Sequence, residues 1–127
     1  MTVPTPSTAH DDTSDTSGYC PFFQHVMELL GRRWTGVILR VLLDGPARFG
    51  DLRRAIPGLS DRLLVERLHE LEHERLVVRE VVDETPIYSL TPRGEDLRTT
   101  IVAVGEHAER WAQSCTMADR PGRSVRP

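Results

Sequence analysis

The chain contains no lysine: all sixteen basic residues are arginine, and nineteen acids outweigh them to a formal net charge of −3. Overall charge therefore does not draw this protein to a polyanion, and any nucleic-acid contact has to come from a local strip. Cysteine is scarce as well. Two cysteines in 127 residues are too few for a disulfide framework, and in a reducing compartment both remain thiols. No apolar run approaches the roughly 18 residues that cross a bilayer. The opening stretch MTVPTPSTAHDDTSDTSG lacks both the basic region and the apolar core of a leader peptide, so the expectation is a soluble, cytoplasmic protein with no membrane contact. That stretch and the ending DRPGRSVRP are also poor in residues worth burying. Disordered tails are expected at 1–19 and 116–127, flanking one domain at 20–115. One domain of this size has a modest core and no room for a catalytic domain plus a sensor domain, so partners must enlarge it.

The densest pattern runs from Arg48 to Gly94. Phe49, Leu52 and Ile56 recur at helical steps, and Pro57 forbids continuation. Ser60 then opens a second helix as a cap, Asp61 suits its positive start, and Leu64, Leu68 and Leu71 form a buried stripe. At about 100° per residue, Arg62, Val65, Glu66, His69 and His73 point the other way. Leu76 to Val82 is β-branched, Asp83 to Pro86 reads as a polar turn, and Ile87 to Leu90 as the returning strand. Helix, turn, helix and hairpin in that order make a winged helix-turn-helix: mainly α with a small β-hairpin wing.

Three strings, GRRWTGVILRVLLDGP (31–46), RFGDLRRAIPGLSDRLLVERLHELE (48–72) and YSLTPRG (88–94), resemble in order and spacing the HxlR family of bacterial transcriptional regulators, within the MarR-like winged-helix group. The resemblance implies a DNA-binding homodimer held by its N- and C-terminal helices. The chain departs from the family pattern in three places. Arg75 stands where a glycine is usual, the hairpin tip Asp83-Glu84-Thr85-Pro86 carries two acids where a basic residue is common, and Gly36 replaces a larger apolar residue, opening space beside Trp34. Acids repel phosphates, so a weakened wing contact is expected.

Arg62, Glu66 and His69 are the candidates for base edges, and Ser60, Arg48, Arg54 and Arg79 for phosphates. Arg67, on the flank of the leucine stripe, suits a phosphate contact or an internal ion pair equally well. Between Arg48 and Arg67 five arginines face three acids, a locally positive strip. A winged helix serving protein contact is the alternative that the missing basic surplus keeps open. HELEH (69–73) repeats the two-histidine spacing of zinc proteases, with Glu95 as a conceivable third ligand, but both histidines fall on an outer helix face rather than in a cleft. No catalytic, metal or cofactor site is assigned, and the chain is not read as an enzyme.

Cys20 precedes Pro21, Phe22, Phe23, Val26, Met27 and Leu30 at a helix start, where free N–H groups favour a thiolate. It is either an inert thiol or a sensor. In some members of the family it resembles, a cysteine at this place senses quinones, aldehydes or oxidants, so a thiol-reactive electrophile or another small molecule is the expected effector. Cys115, after the last helix, could pair with Cys20 of a second subunit. Leu97, Ile101, Val104, Ala108 and Trp111 recur at steps of four, three, four and three, the seam of a helix meeting another helix, either within the domain or across a dimer with Phe22 and Phe23. Trp34, Val37, Ile38, Val41 and Leu42 give one helix an apolar face, mostly core, and Gly45-Pro46 stops it. Trp34 is either core or the border of an effector pocket. A two-fold dimer would set its reading helices roughly 34 to 36 Å apart on a palindromic double-stranded operator.

Overall fold

In the computed structural model, which describes residues 20–115, helix α1 (Pro21–Leu30) leads into α2 (Thr35–Leu42), the two-residue strand β1 (Ala47–Arg48), α3 (Phe49–Ala55) and α4 (Asp61–His73). A hairpin of β2 (Val77–Val82) and β3 (Thr85–Leu90), a helical turn α5 (Pro92–Glu95) and the long α6 (Arg98–Ser114) complete it. The tails expected to be disordered lie outside the described residues. The strands form one antiparallel sheet in the order β1-β3-β2, so the fold is the expected winged helix-turn-helix.

Leu64, Leu68 and Leu71 of α4 are fully buried, against Leu52 and Ile56 from the α3 segment and Ile38, Leu39 and Leu42 of α2. Val77 and Tyr88 close this core from the sheet. Burying each such side chain contributes roughly 1.5 to 3 kcal/mol, which makes this stripe the anchor of α4. Two helices turn differently from their apolar spacing. In α2 the inner face is Thr35, Ile38, Leu39 and Leu42, while Val37 is 47% exposed. Trp34 stands outside the helix as its cap, at φ 79°, with the Arg33 guanidinium 5.2 Å from its ring centroid. In α1 the buried residue is His25, and Phe23, Val26 and Met27 face outward. Leu29 and Leu30 pack on the core beside His25, so Phe23, Val26 and Met27 form a second, uncovered apolar face of α1.

The end of α4 is a Schellman turn with an arginine in the glycine position. Leu76 N–H donates to Leu71 O at 2.9 Å, Arg75 N–H to Glu72 O at 2.9 Å, and Arg75 has φ 63°. A left-handed arginine is strained, so Arg75→Gly is expected to stabilise the fold by about 1 kcal/mol. A higher urea midpoint at unchanged slope would show it; an unchanged or lower midpoint would mean that the side chain compensates.

Beyond the turn, Thr91 Oγ1 donates to Arg75 O at 2.6 Å and accepts from Gly94 N–H at 3.0 Å, while Thr91 N–H donates to Leu76 O at 3.0 Å. The Thr-Pro-Arg-Gly segment is thus a clasp on the junction between reading helix and wing. In the hairpin, Asp83 and Glu84 alone form the turn, at φ 51° and 65°, and the strand resumes at Thr85 rather than at Ile87 as expected. Pro86 fits within β3 because β1 reaches only Ile87, so its missing N–H removes no ladder bond.

Candidate nucleic-acid interface

Helix α4 begins as its sequence requires. Ser60 has extended backbone, and its Oγ accepts from Leu63 N–H at 3.2 Å, which leaves the hydroxyl proton free to donate outward. One residue on, the Arg62 side chain is 90% exposed, its Nε 3.5 Å from Glu66 Oε2. Glu66 and His69 share that exposed face, opposite the buried leucines. The surface is therefore available, and it is the face that periodicity placed there.

Two further arginines cluster beside this helix start. Arg54 pairs with Asp51, and Arg53 pairs across the turn with Asp61 at the first position of α4. Arg53 was not singled out by the sequence, because its partner lies eight residues away and only the Pro57-Gly58 turn brings them together. Arg62, Arg53 and Arg54 thus each carry a carboxylate of the chain, which is how a face rich in arginine coexists with a net acidic protein. Exposed pairs of this kind are worth about 1 kcal/mol or less, so a phosphate can replace the carboxylate at little loss.

Arg48 is exposed at the start of α3, its N–H donating to Asp51 Oδ2 at 3.0 Å. Arg79 is exposed on β2, opposite Tyr88, and Arg48 lies opposite Ile87. With β3 between them they stand two strand spacings apart, about 10 Å, and since Ile87 and Tyr88 alternate, their side chains leave opposite faces of the sheet. Arg67 goes the other way. Its side chain is 13% exposed, with Nε donating to Arg33 O at 2.8 Å and Nη1 to Glu70 at 3.2 Å, so the internal ion pair is the role the geometry supports rather than a phosphate contact.

His69 and His73 sit at the far end of α4, bordering a groove of about 440 Å³ toward α1 that is also lined by His25, Glu28, Leu29 and Arg32. Glu95, the conceivable third ligand of the HELEH pattern, is paired with Arg98 at 3.0 Å. Under the groove, His25 Nε2 meets Glu74 Oε1 at 3.0 Å, both nearly buried, and Arg32 meets Glu70 at 3.4 Å. Sequence reasoning missed these ties between α1 and α4, since the partners are 49 and 38 residues apart.

Cys20 caps α1 and is exposed, with its carbonyl accepting from Gln24 N–H at 2.9 Å; Cys115 ends α6, half-buried, and both are free thiols. The apolar seam of α6 divides in two. Leu97 and Ile101 pack partly on the chain's own core, whereas Val104, Ala108 and Trp111 are exposed. Phe22 is half-buried and Phe23 is 60% exposed. Trp34 packs on the core, and its Cη2 lies 3.6 Å from where a Cβ on Gly58 would sit, against the turn between α3 and α4. Gly36, expected to open space beside Trp34, instead lines a groove against α6.

The model of the HxlR-like helix-turn-helix family matches residues 29–116. The HTH-type transcriptional regulator YodB of Bacillus subtilis is 43% identical over 104 residues, which span 79% of this chain and 89% of that protein. The crystal structure of quinone-bound YodB superposes with a TM-score of 0.61 at 42% identity, covering 76% of this chain and all of that one. The redox regulator HypR in its reduced form superposes at 0.66 with 31% identity, covering 69% and 90%.

Proposed function

The chain belongs to the HxlR-like helix-turn-helix family of transcriptional regulators, and on that premise we propose that it is a homodimeric repressor that releases its operator when Cys20 is modified. The observation that carries the DNA-reading part is the α4 surface. A helix capped by Ser60 and anchored by three buried leucines presents Arg62, Glu66 and His69 to solvent. In a major groove, Arg62 suits guanine and Glu66 the cytosine amino group, while Ser60, Arg48, Arg53, Arg54 and Arg79 hold the flanking phosphates. The acidic tip Asp83-Glu84 keeps the wing a weak contributor.

The outward apolar faces of α1, with Phe23, and of the second half of α6, with Val104 and Trp111, support the dimer, since exposed apolar faces of this kind mark interfaces. A two-fold dimer implies a palindromic operator with half-sites one turn apart. No catalytic role enters this reading.

Cys20 is exposed at the start of α1, where its sulfur can be reached by an electron-poor quinone carbon or by diamide. Helix α1, which it opens, is tied to the end of α4 by His25–Glu74 and Arg32–Glu70, so a displacement of α1 loads the reading helix directly. That YodB has been crystallised with quinone, and that HypR is a redox regulator, supports this effector class. Cys115 of a second subunit is the thiol that an oxidised Cys20 would join.

The test is a gel shift with the intergenic DNA upstream of the gene. Wild-type protein should release it on treatment with diamide or a quinone, and Cys20→Ser should bind equally well when reduced yet stay bound when treated. Release of the serine variant by the same reagents would refute the thiol switch. The groove between α1 and α4 favours a second reading, in which a small molecule bound there acts with an inert Cys20. Thiol-independent release by an effector would establish it.

A further inference from the structure

The second half of α6 overhangs its own domain with Trp111, 65% exposed, near its end. Toward the start of the same helix a groove of about 380 Å³ opens between α2 and α6, lined mainly by Leu30, Gly36, Val37, Ile101, Val104 and Gly105. Its width comes from the two glycines: a Cβ built on either Gly36 or Gly105 meets nothing within 4 Å. The molecule thus carries an unhoused indole and an unfilled apolar slot.

We propose that this slot is filled by Trp111 of the partner subunit, with the two α6 helices antiparallel about a two-fold axis near Glu106. The inference rests on the dimer reading above and names its central contact. The register argues for it. In an isologous interface, if residue i touches j then j touches i. Ile101 and Trp111 lie five residues either side of Glu106, and Val104 and Ala108 lie two either side. One antiparallel alignment therefore pairs all four exposed or half-exposed seam residues at once, Trp111 with Ile101 and Ala108 with Val104. It sets each indole beside Ile101, on the wall of the slot. Phe23 is the other exposed aromatic of the described residues, but on α1, away from this register. Central tryptophans in apolar pockets dominate interface energetics, so this knob would set dimer strength. Gly36 then has a purpose as the floor that admits a larger ring.

The chain has two tryptophans, so Trp34→Phe leaves Trp111 as the sole indole. Its emission and iodide quenching, measured on the full chain with the mass determined by sedimentation, should show a dimer with a blue-shifted, shielded indole. Trp111→Ala should raise the dimer dissociation constant by about thirty-fold or more. Gly36→Leu, which plugs the slot without altering the indole, should weaken the dimer similarly and return Trp111 to solvent. A dimer whose Trp111 stays red-shifted and freely quenched overturns the knob and leaves the dimer reading intact; a monomer at every concentration overturns both. Should Trp34→Phe fail to fold, chains lacking Cys20 and Cys115 and carrying either Val104→Cys or Ala108→Cys provide the same decision. Mixed and oxidised, the two should cross-link to each other faster than either does to itself, and failure to do so refutes the register.

Discussion

Arg62→Ala is expected to weaken operator binding by about 1 to 3 kcal/mol, roughly five- to 150-fold, while the fold stays within about 0.5 kcal/mol of wild type. The two halves of that expectation come from one fact. With 90% of its side chain exposed, Arg62 supports no packing, and its contact to Glu66 is a surface pair of little worth. Truncation therefore removes only what the arginine does on DNA. If it reads a guanine, affinity for the operator falls while affinity for unrelated DNA barely changes, so discrimination at one base pair collapses. If it holds a phosphate, affinity falls equally on every sequence and the salt dependence drops by about one ion. Titrations on operator and scrambled duplexes at several salt concentrations separate these. Unchanged binding to both would remove the outer face of α4 from the interface altogether.

Gly94→Ala should cost about 2 to 4 kcal/mol of stability, and DNA binding with it. An added Cβ would stand 2.2 Å from the Leu76 carbonyl oxygen and 3.1 Å from Leu90 Cδ2. Neither side can move away cheaply. Leu76 is pinned by its N–H bond to Leu71 O and by the Thr91 N–H that its carbonyl accepts, while Gly94 N–H is held by Thr91 Oγ1. Relief means opening the clasp that joins the reading helix to the wing. Urea unfolding monitored by far-UV circular dichroism measures the loss. Gly50→Ala is the control, since its Cβ would meet only the far end of the Arg54 side chain at 3.5 Å. It should be neutral or stabilising by up to about 1 kcal/mol, as alanine is the better helix former. Equal stability of the Gly94 variant would mean that α5 is not locked against Leu76.

The residues that were legible beforehand share a property: their neighbours are close in sequence. Ser60 as a cap, the leucine stripe and the outward Arg62–Glu66–His69 face all follow from helical geometry over a dozen residues. Arg75, which stands where the resembled family usually has glycine, is left-handed. Where the reading went astray, a distant segment decided. The apolar spacing in α1 was visible, but the inward His25 held by Glu74 was not. Val37 appeared to belong to a buried face, but α2 starts after a left-handed Trp34 and turns Thr35 and Leu39 inward instead.

Local periodicity, caps and turn residues were thus enough to determine the winged helix-turn-helix and which face of α4 is exposed to solvent, because those depend on backbone geometry repeated every few residues. Tertiary structure alone decided that Arg67 is an internal strut, that Arg53 joins the cluster beside α4, that His25 and Arg32 tie the cysteine-bearing helix to the reading helix, and that Gly36 faces α6. Such pairings are set by which surfaces meet once a common core excludes water, and partners brought together by a turn or lying 34 to 49 positions apart leave no trace of that meeting in their spacing.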